Sequence, residues 1–292
     1  MESDKLKEKT KGCDSVVEAG SALTDVRHSS LSTVHPNIIL RTPIFTPSAR
    51  NPHPATGLGR TADVSEEMQK LTFARSEGYD KVMISGYRLD IETDFRVWCG
   101  ITQAFESAGF CSEGVVFDFK EFASLCGYPS KHLTTVLRER IDRSLTRIMS
   151  QVISFSRAGK GWVKTHLIHR AEYNLDTDEI RLIPDASLWD LYRIDHNILL
   201  YIEHQAPLKG KPVALCLQMY LAALPANPVP ISMTRLRERV ALKTSKVAEA
   251  NRSITNALAE LKKIGYLDYE IVTKNRERHV LIHERHKQLK SK

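Results

Sequence analysis

Two stretches of the chain, about 114 residues apart, share one layout. The first runs Ser130-Lys131, a helical pattern, Val152-Ile153-Ser154-Phe155 and then Leu167-Ile168-His169. The second runs Ser245-Lys246, a helical pattern, Tyr266-Leu267-Asp268-Tyr269 and then Leu281-Ile282-His283. The offsets are 115, 114 and 114 residues, so the register hardly drifts. A solenoid repeats every 20 to 50 residues or so, and a period this long points instead to a duplicated module. The 292 residues are enough for two cores of ordinary size.

Charge separates the two copies. Residues 232–292 hold 15 Lys/Arg against 7 Asp/Glu, whereas the rest of the chain holds 27 against 28. The whole net charge of +7 therefore arises in the second copy. Basic residues concentrated in one compact segment suit a polyanion, with a solvated basic tail as the plainer alternative. Other classes recede. With 42% hydrophobic and 26% charged residues the composition is that of a soluble globular protein. The apolar run Val213–Leu224 is too short to span a bilayer, and the N-terminus lacks the apolar core of a secretory signal. The expectation is a cytoplasmic protein without membrane contact. The five cysteines (Cys13, Cys99, Cys111, Cys126, Cys216) form no C-x-x-C pair and read as reduced, mostly buried thiols.

The pattern along the chain predicts an α+β fold of tandem winged helix-turn-helix domains behind a mostly disordered segment at residues 1–64. Within that segment only Ile38–Phe45 is apolar enough to dock on a folded body. A first winged-helix domain is expected over 65–194. It would have helices at Asp94–Ala108, Phe122–Gly127 and from Pro129-Ser130 to Met149. Its strands would be Val115–Phe119, Val152–Ser156, Lys164–Tyr173 and Glu179–Ile183. Leu188–Arg193, Ile198–His204 and Pro212–Leu224 have helical spacing. A second winged-helix domain is expected over 195–292. Ser232 caps one helix through about Leu242, and Thr244-Ser245 caps another that runs to Gly265. Strands Tyr266–Thr273 and Arg278–His283 form a wing with Lys274-Asn275-Arg276 at its tip.

On a helical wheel, Val247, Ile254, Leu258 and Leu261 face inward. The opposite face carries Glu249, Arg252, Asn256 and Lys263, with Ser245, Lys246 and Ser253 near the helix start. Arg can fork onto guanine O6/N7 and Asn onto adenine N6/N7, while Lys246 and the serines suit phosphates. Arg276 and Arg278 on the wing complete the candidate DNA surface, against the alternative of a merely solvated face. The matching helix of the first copy buries Leu133, Leu137, Ile141 and Ile148 and presents Thr135, Glu139, Asp142 and Thr146. Its carboxylates repel phosphates. With Lys131 and Arg138 on its flanks, it reads as a secondary DNA contact, a dimer surface, or both.

Enzymatic signatures do not emerge. There is no G-x-x-x-x-G-K-[ST] phosphate loop, no His-x-His pair of a nicking enzyme and no G-x-S-x-G. His166 and His169 would point to opposite faces of a strand, and His279, His283 and His286 would share a face only on a helix. No cofactor or metal is expected, and the chain reads as a binding protein rather than an enzyme.

Several blocks then carry a resemblance. Ser85–Phe95 (SGYRLDIETDF), Phe119–Ala123 (FKEFA), Pro129-Ser130-Lys131, Leu224–Ser232 (LPANPVPIS) and Ile264–Tyr269 (IGYLDY) occur in the order found in theta-type plasmid replication initiators of the RepFIB/RepA kind, and the chain resembles that family over about residues 38–286. The resemblance implies two winged-helix domains and binding of double-stranded DNA at repeated origin sequences, the iterons. It implies monomers that bind iterons and help open the origin. Homodimers, formed through the first winged-helix domain, would repress the initiator's own promoter. It further implies contacts with the host initiator DnaA, the replicative helicase and host chaperones. A dedicated transcriptional repressor of the same fold is the alternative.

Overall fold

The computed structural model describes residues 32–47, 60–63, 81–87, 89–108, 113–129, 133–157, 161–186, 197–201, 205–242, 246–274 and 276–286. Strand β1 (Ser32–Pro36) leads into a short helix α1 (Asn37–Arg41) and the two-residue β2 (Phe45–Thr46). Strands β3 (Arg60–Asp63), β4 (Lys81–Gly86) and β5 (Leu89–Asp90) follow. Then come α2 (Asp94–Ser107), β6 (Val115–Asp118), α3 (Phe119–Leu125) and α4 (Thr135–Met149). Strands β7 (Val152–Arg157), β8 (Gly161–His166), β9 (Arg170–Asn174), β10 (Glu179–Ile183) and β11 (Asn197–Tyr201) precede α5 (Pro212–Ala222). The chain continues through β12 (Ile231–Ser232), α6 (Met233–Val240), α7 (Val247–Lys263), β13 (Leu267–Lys274) and β14 (Glu277–Arg285).

The architecture is mixed helix and sheet, and one connectivity occurs twice. Helix, strand, helix, helix and hairpin appear as α2-β6-α3-α4 with β9–β10, and again as α5-β12-α6-α7 with β13–β14. The three-stranded sheets match too, in the orders β6-β10-β9 and β12-β14-β13. From β6 through α4 the two series start 116, 114 and 112 residues apart. At the hairpins the offset falls to 97 and 98, because β7 and β8 are inserted in the first half alone.

This corrects the repeat as the sequence displays it. Val152–Phe155 lies in β7, which pairs with β4 and β8 in the four-stranded sheet β3-β4-β7-β8. It is not the counterpart of Tyr266–Tyr269. The single expected strand Lys164–Tyr173 is two strands, broken where Leu167 and Ile168 are both buried (0% and 1% exposed). Consecutive strand residues point to opposite faces, so burying both on one core requires the chain to turn. Pairing with β10 resumes as His169 N–H donates to Ile183 O at 3.1 Å.

Other expectations shift as well. Ile198–His204 reads as helix, but residues 197–201 form β11, antiparallel to β1 from Ser32↔Tyr201 to Pro36↔Asn197. Leu188–Arg193 and the domain limits expected at 64/65 and 194/195 lie outside the described residues. Helix α4 starts later than Pro129-Ser130: Thr134 caps it, its side chain accepting from Leu137 N–H at 3.3 Å. Ser232 caps α6 as expected, accepting from Arg235 N–H at 3.2 Å. Gly265 ends α7 with φ +74°, while Tyr266 N–H reaches back to Leu261 O at 3.0 Å, a closure that the missing Cβ permits.

Ile38–Phe45 docks on the folded body as its apolar residues suggest, and the order extends beyond it to β1 at Ser32–Pro36, where irregular chain was expected. Ile39, Leu40, Ile44 and Phe45 are at most 1% exposed, and β2 pairs in parallel with β5. Arg239 of α6, itself 3% exposed, fastens this arm. Its guanidinium donates to Leu40 O at 2.8 and 3.1 Å and to Phe45 O at 3.2 Å. One hydrophobic core thus continues from the arm through Trp98, Phe105 and Phe122 to Tyr220, Leu236 and Leu258. Among the described residues no helix is long and apolar enough to cross a membrane. Cys126 and Cys216 are buried and Cys99 is half-buried, and desolvation pushes the Cys99 thiol up to about 12. Cys13 and Cys111 lie outside the described residues.

Candidate nucleic-acid interface

Helix α7 is amphipathic because Ala250, Ile254, Ala257, Leu258 and Leu261 recur at helical spacing and are all buried. Val247 was expected among them but is 57% exposed; it is the first residue of the helix and projects beyond the core. The far side carries Glu249, Arg252, Asn256 and Lys263, all exposed, with Ser253 half-buried. Lys246 is exposed at the N-cap, and Ser245 lies outside the described residues.

Hairpin β13–β14 brings Arg278 to the same side. An open depression is lined by Ala248, Asn251, Arg252, Thr255, Asn256 and Arg278, so the strand supplies one wall and the helix the other. Arg276 is exposed at the hairpin tip with φ +62°. The structure therefore brings Arg252, Asn256 and Arg278 together. It leaves Lys263 at the far end of the helix, about 11 residues and 16 Å from Arg252 at 1.5 Å per residue.

Behind the depression runs a network that sequence reading missed. Glu277 of β14 accepts from Thr234 N–H at 3.1 Å, and hydrogen bonds from Thr234 hold its carboxyl below the usual range. Arg237 of α6 donates through Nη2 to Thr234 Oγ1 and through Nη1 to Asn251 Oδ1, both at 2.7 Å. Hairpin, α6 and α7 are thereby joined by polar contacts at the base of the candidate surface. The spacing of Thr234 and Arg237 on one helix turn is a faint sequence signal; their link to Asn251 needs the packing of α6 against α7.

The first half treats its cations differently. Arg138 forms a two-pronged pair with Asp178 at 2.8 and 3.2 Å and lies over the Phe119 ring at 4.7 Å. Arg147 donates through Nε to Asp94 at 2.9 Å, and that wholly buried carboxylate also accepts from Ser144 at 2.7 Å. The exposed face keeps Thr135, Glu139, Asp142 and Thr146. Of the residues expected inside, Leu137, Ile141 and Ile148 are buried and Leu133 half-buried, with Leu145 joining them. Lys131 lies outside the described residues.

Chemically, the second surface offers donors and positive charge, which suit phosphates and base edges. Among the described residues no three His, Cys, Asp or Glu side chains are grouped to hold a metal ion. His283 and His286 face Glu270 and Glu284 at 3.7 and 3.3 Å, which marks ordinary surface pairs.

No protein-family model matches the chain. Curated proteins do. It is 39% identical over 264 residues to the replication protein RepA of Escherichia coli, covering 90% of this chain and 91% of that one. It is 38% identical over 280 residues to a RepFIB replication protein A of Escherichia coli, covering 94% and 85%. A RepA of Salmonella typhi is 35% identical over 279 residues, covering 94% and 78%. Among solved structures, domains 2 and 3 of RctB match with TM-score 0.50 at 13% identity, over 84% of this chain and 95% of that one, which is a likeness of fold.

Proposed function

Since the chain belongs to the RepFIB replication protein A family, we propose that it is a plasmid replication initiator that works by binding DNA rather than by catalysis. The two matching series are then winged helix-turn-helix domains over 65–194 and 195–292, with β9–β10 and β13–β14 as their wings. The observation that carries the reading is the convergence of Arg252, Asn256 and Arg278 on one open depression, opposite the buried stripe of α7. An α-helix fits the major groove, so α7 enters it with Lys246 and Arg276 against the flanking phosphates. The repeated origin sequence is the target.

The first domain serves as the homodimer surface and a secondary contact, in keeping with the carboxylates on α4. Origin opening, autorepression, and contacts with DnaA, the replicative helicase and chaperones in the bacterial cytoplasm follow from the family resemblance. A transformation assay tests the proposal: a plasmid carrying only the origin fragment and a selectable marker should persist only where this chain is supplied. A chain that silences its own promoter yet maintains no such plasmid is a dedicated repressor, and that result overturns initiation.

A further inference from the structure

We propose that Asn251 is a specificity-determining residue that reads DNA as a hydrogen-bond donor, and that Arg237 is the positioning residue that imposes this. The inference rests on the reading of α7 as the DNA-facing helix. It begins with the 2.7 Å contact between Arg237 Nη1 and Asn251 Oδ1. A guanidinium has donors and no acceptor, so the amide atom that faces it must be the oxygen. That settles which way the Asn251 amide is turned.

The guanidinium is held at its other end as well, by Thr234 Oγ1 at 2.7 Å, and Thr234 is in turn held by Glu277 from the hairpin. Arg237 is thus a strut between two fixed points. Asn251 lines the depression beside Arg252, Asn256 and Arg278, and with its oxygen committed it offers the two N–H donors of Nδ2 there. An asparagine that pairs with adenine uses both amide ends, donating to N7 and accepting from N6. Arg237 takes one lone pair of the Asn251 oxygen and turns that oxygen towards α6, which disfavours the adenine pairing and leaves the N–H donors as the amide's main offer. Those donors match guanine, whose N7 and O6 both accept, and Arg252 and Arg278 add further donors to the same wall. The depression therefore selects an acceptor-rich, guanine-containing edge, with Asn256 as the residue better able to take adenine.

The test uses the full chain and a randomised pool of DNA duplexes, followed by affinities for the enriched duplex and its single-base-pair variants. The wild type should prefer guanine over adenine by about tenfold or more at one position, and N251A should erase that preference alone. R237A should narrow it below about threefold or turn it towards adenine, with other positions unchanged. R237K should not restore it, because one ammonium cannot span Thr234 and Asn251. If R237A binds no duplex, N251D decides: it keeps the shape, replaces donors by an acceptor and should abolish the guanine preference. Retention of that preference in N251D or R237A overturns the proposal, as does an N251A profile identical to wild type. A wild-type chain that enriches no common sequence overturns the DNA-reading function of α7 itself, which is a distinguishable failure.

Discussion

Helices α4 and α7 hold the same place in two series of matching connectivity, yet Arg138 and Arg147 of the first are used differently from Arg252 of the second. In α4, Arg138 and Arg147 turn back into the protein, onto Asp178 and Asp94, and the exposed residues mix Glu139 and Asp142 with Arg140 and Arg143. In α7, Arg252 stands exposed on the outward face beside Arg278 of the hairpin. The pairing of Arg237 with Asn251 supports that face from behind. Equal topology does not confer equal surface. Two of the α4 arginines are held by carboxylates, whereas Arg252 of α7 is exposed beside a second arginine on the depression.

The sharpest way to break the contrast is to remove the carboxylate that Arg147 needs. Asp94→Ala removes a wholly buried carboxylate that Ser144 and Arg147 donate to. The Arg147 side chain is 33% exposed and rehydrates in part, so the cost is about 3 kcal/mol, at the low end for a buried pair. The urea midpoint should fall accordingly, and an unchanged midpoint would show that this network is dispensable. Arg239→Ala asks whether the second half also contains a structural arginine. It strands the Leu40 and Phe45 carbonyls, which should cost about 3 kcal/mol and speed hydrogen exchange through residues 37–46.

Binding comes next in size. Arg252→Ala should lose about 1–3 kcal/mol on the cognate duplex and relax one base position at unchanged melting temperature, whereas Lys246→Ala should weaken all duplexes alike. Unchanged affinity of Arg252→Ala in a gel shift removes α7 as the reader. Smallest is the Arg138–Asp178 clamp, whose side chains are 30% and 47% exposed. Asp178→Asn should cost at most about 1 kcal/mol, as solvent-screened pairs do. Hydrogen bonds from Arg138 and then Tyr173 hold the Asp178 carboxyl below its usual 3.8. The clamp is therefore fully present above about pH 4 and is lost as pH falls through the lowered folded-state value. Urea titrations of both proteins should converge at more acid pH, and a gap that widens instead would contradict the assignment.

Much of this was legible in the residues because the deciding signals were local. Leu236 and Val240, or Ile254, Leu258 and Leu261, announce their helices by spacing, and Gly265 and Ser232 announce the ends. Strand partners were not legible. Nothing within Val152–Phe155 says that it pairs with β4 rather than with a wing, and Ile198-Leu199-Leu200 suits a helix as well as a strand until β1, 165 residues earlier, is set beside it. The exposed face of α7 could be drawn on a wheel, apart from Val247 at its open end. Arg237 and Asn251, 14 residues apart on different helices, meet only through packing.

The arm at residues 37–46 has a consequence for how the molecule is made. Its carbonyl anchor, Arg239, lies 199 positions downstream of Leu40, and its apolar neighbours on α5 are nearly as distant. A contact of such long sequence separation forms late, after the closure entropy of a very large loop has been met. On a translating ribosome the arm emerges well before its anchor, and its seat is complete only once the 199 residues that separate Leu40 from Arg239 have been added. Phe45 can meet Leu89 and Phe95 earlier, but the Leu40 carbonyl waits for Arg239. A segment made before α6 thus has its backbone anchor completed only after α6 is made.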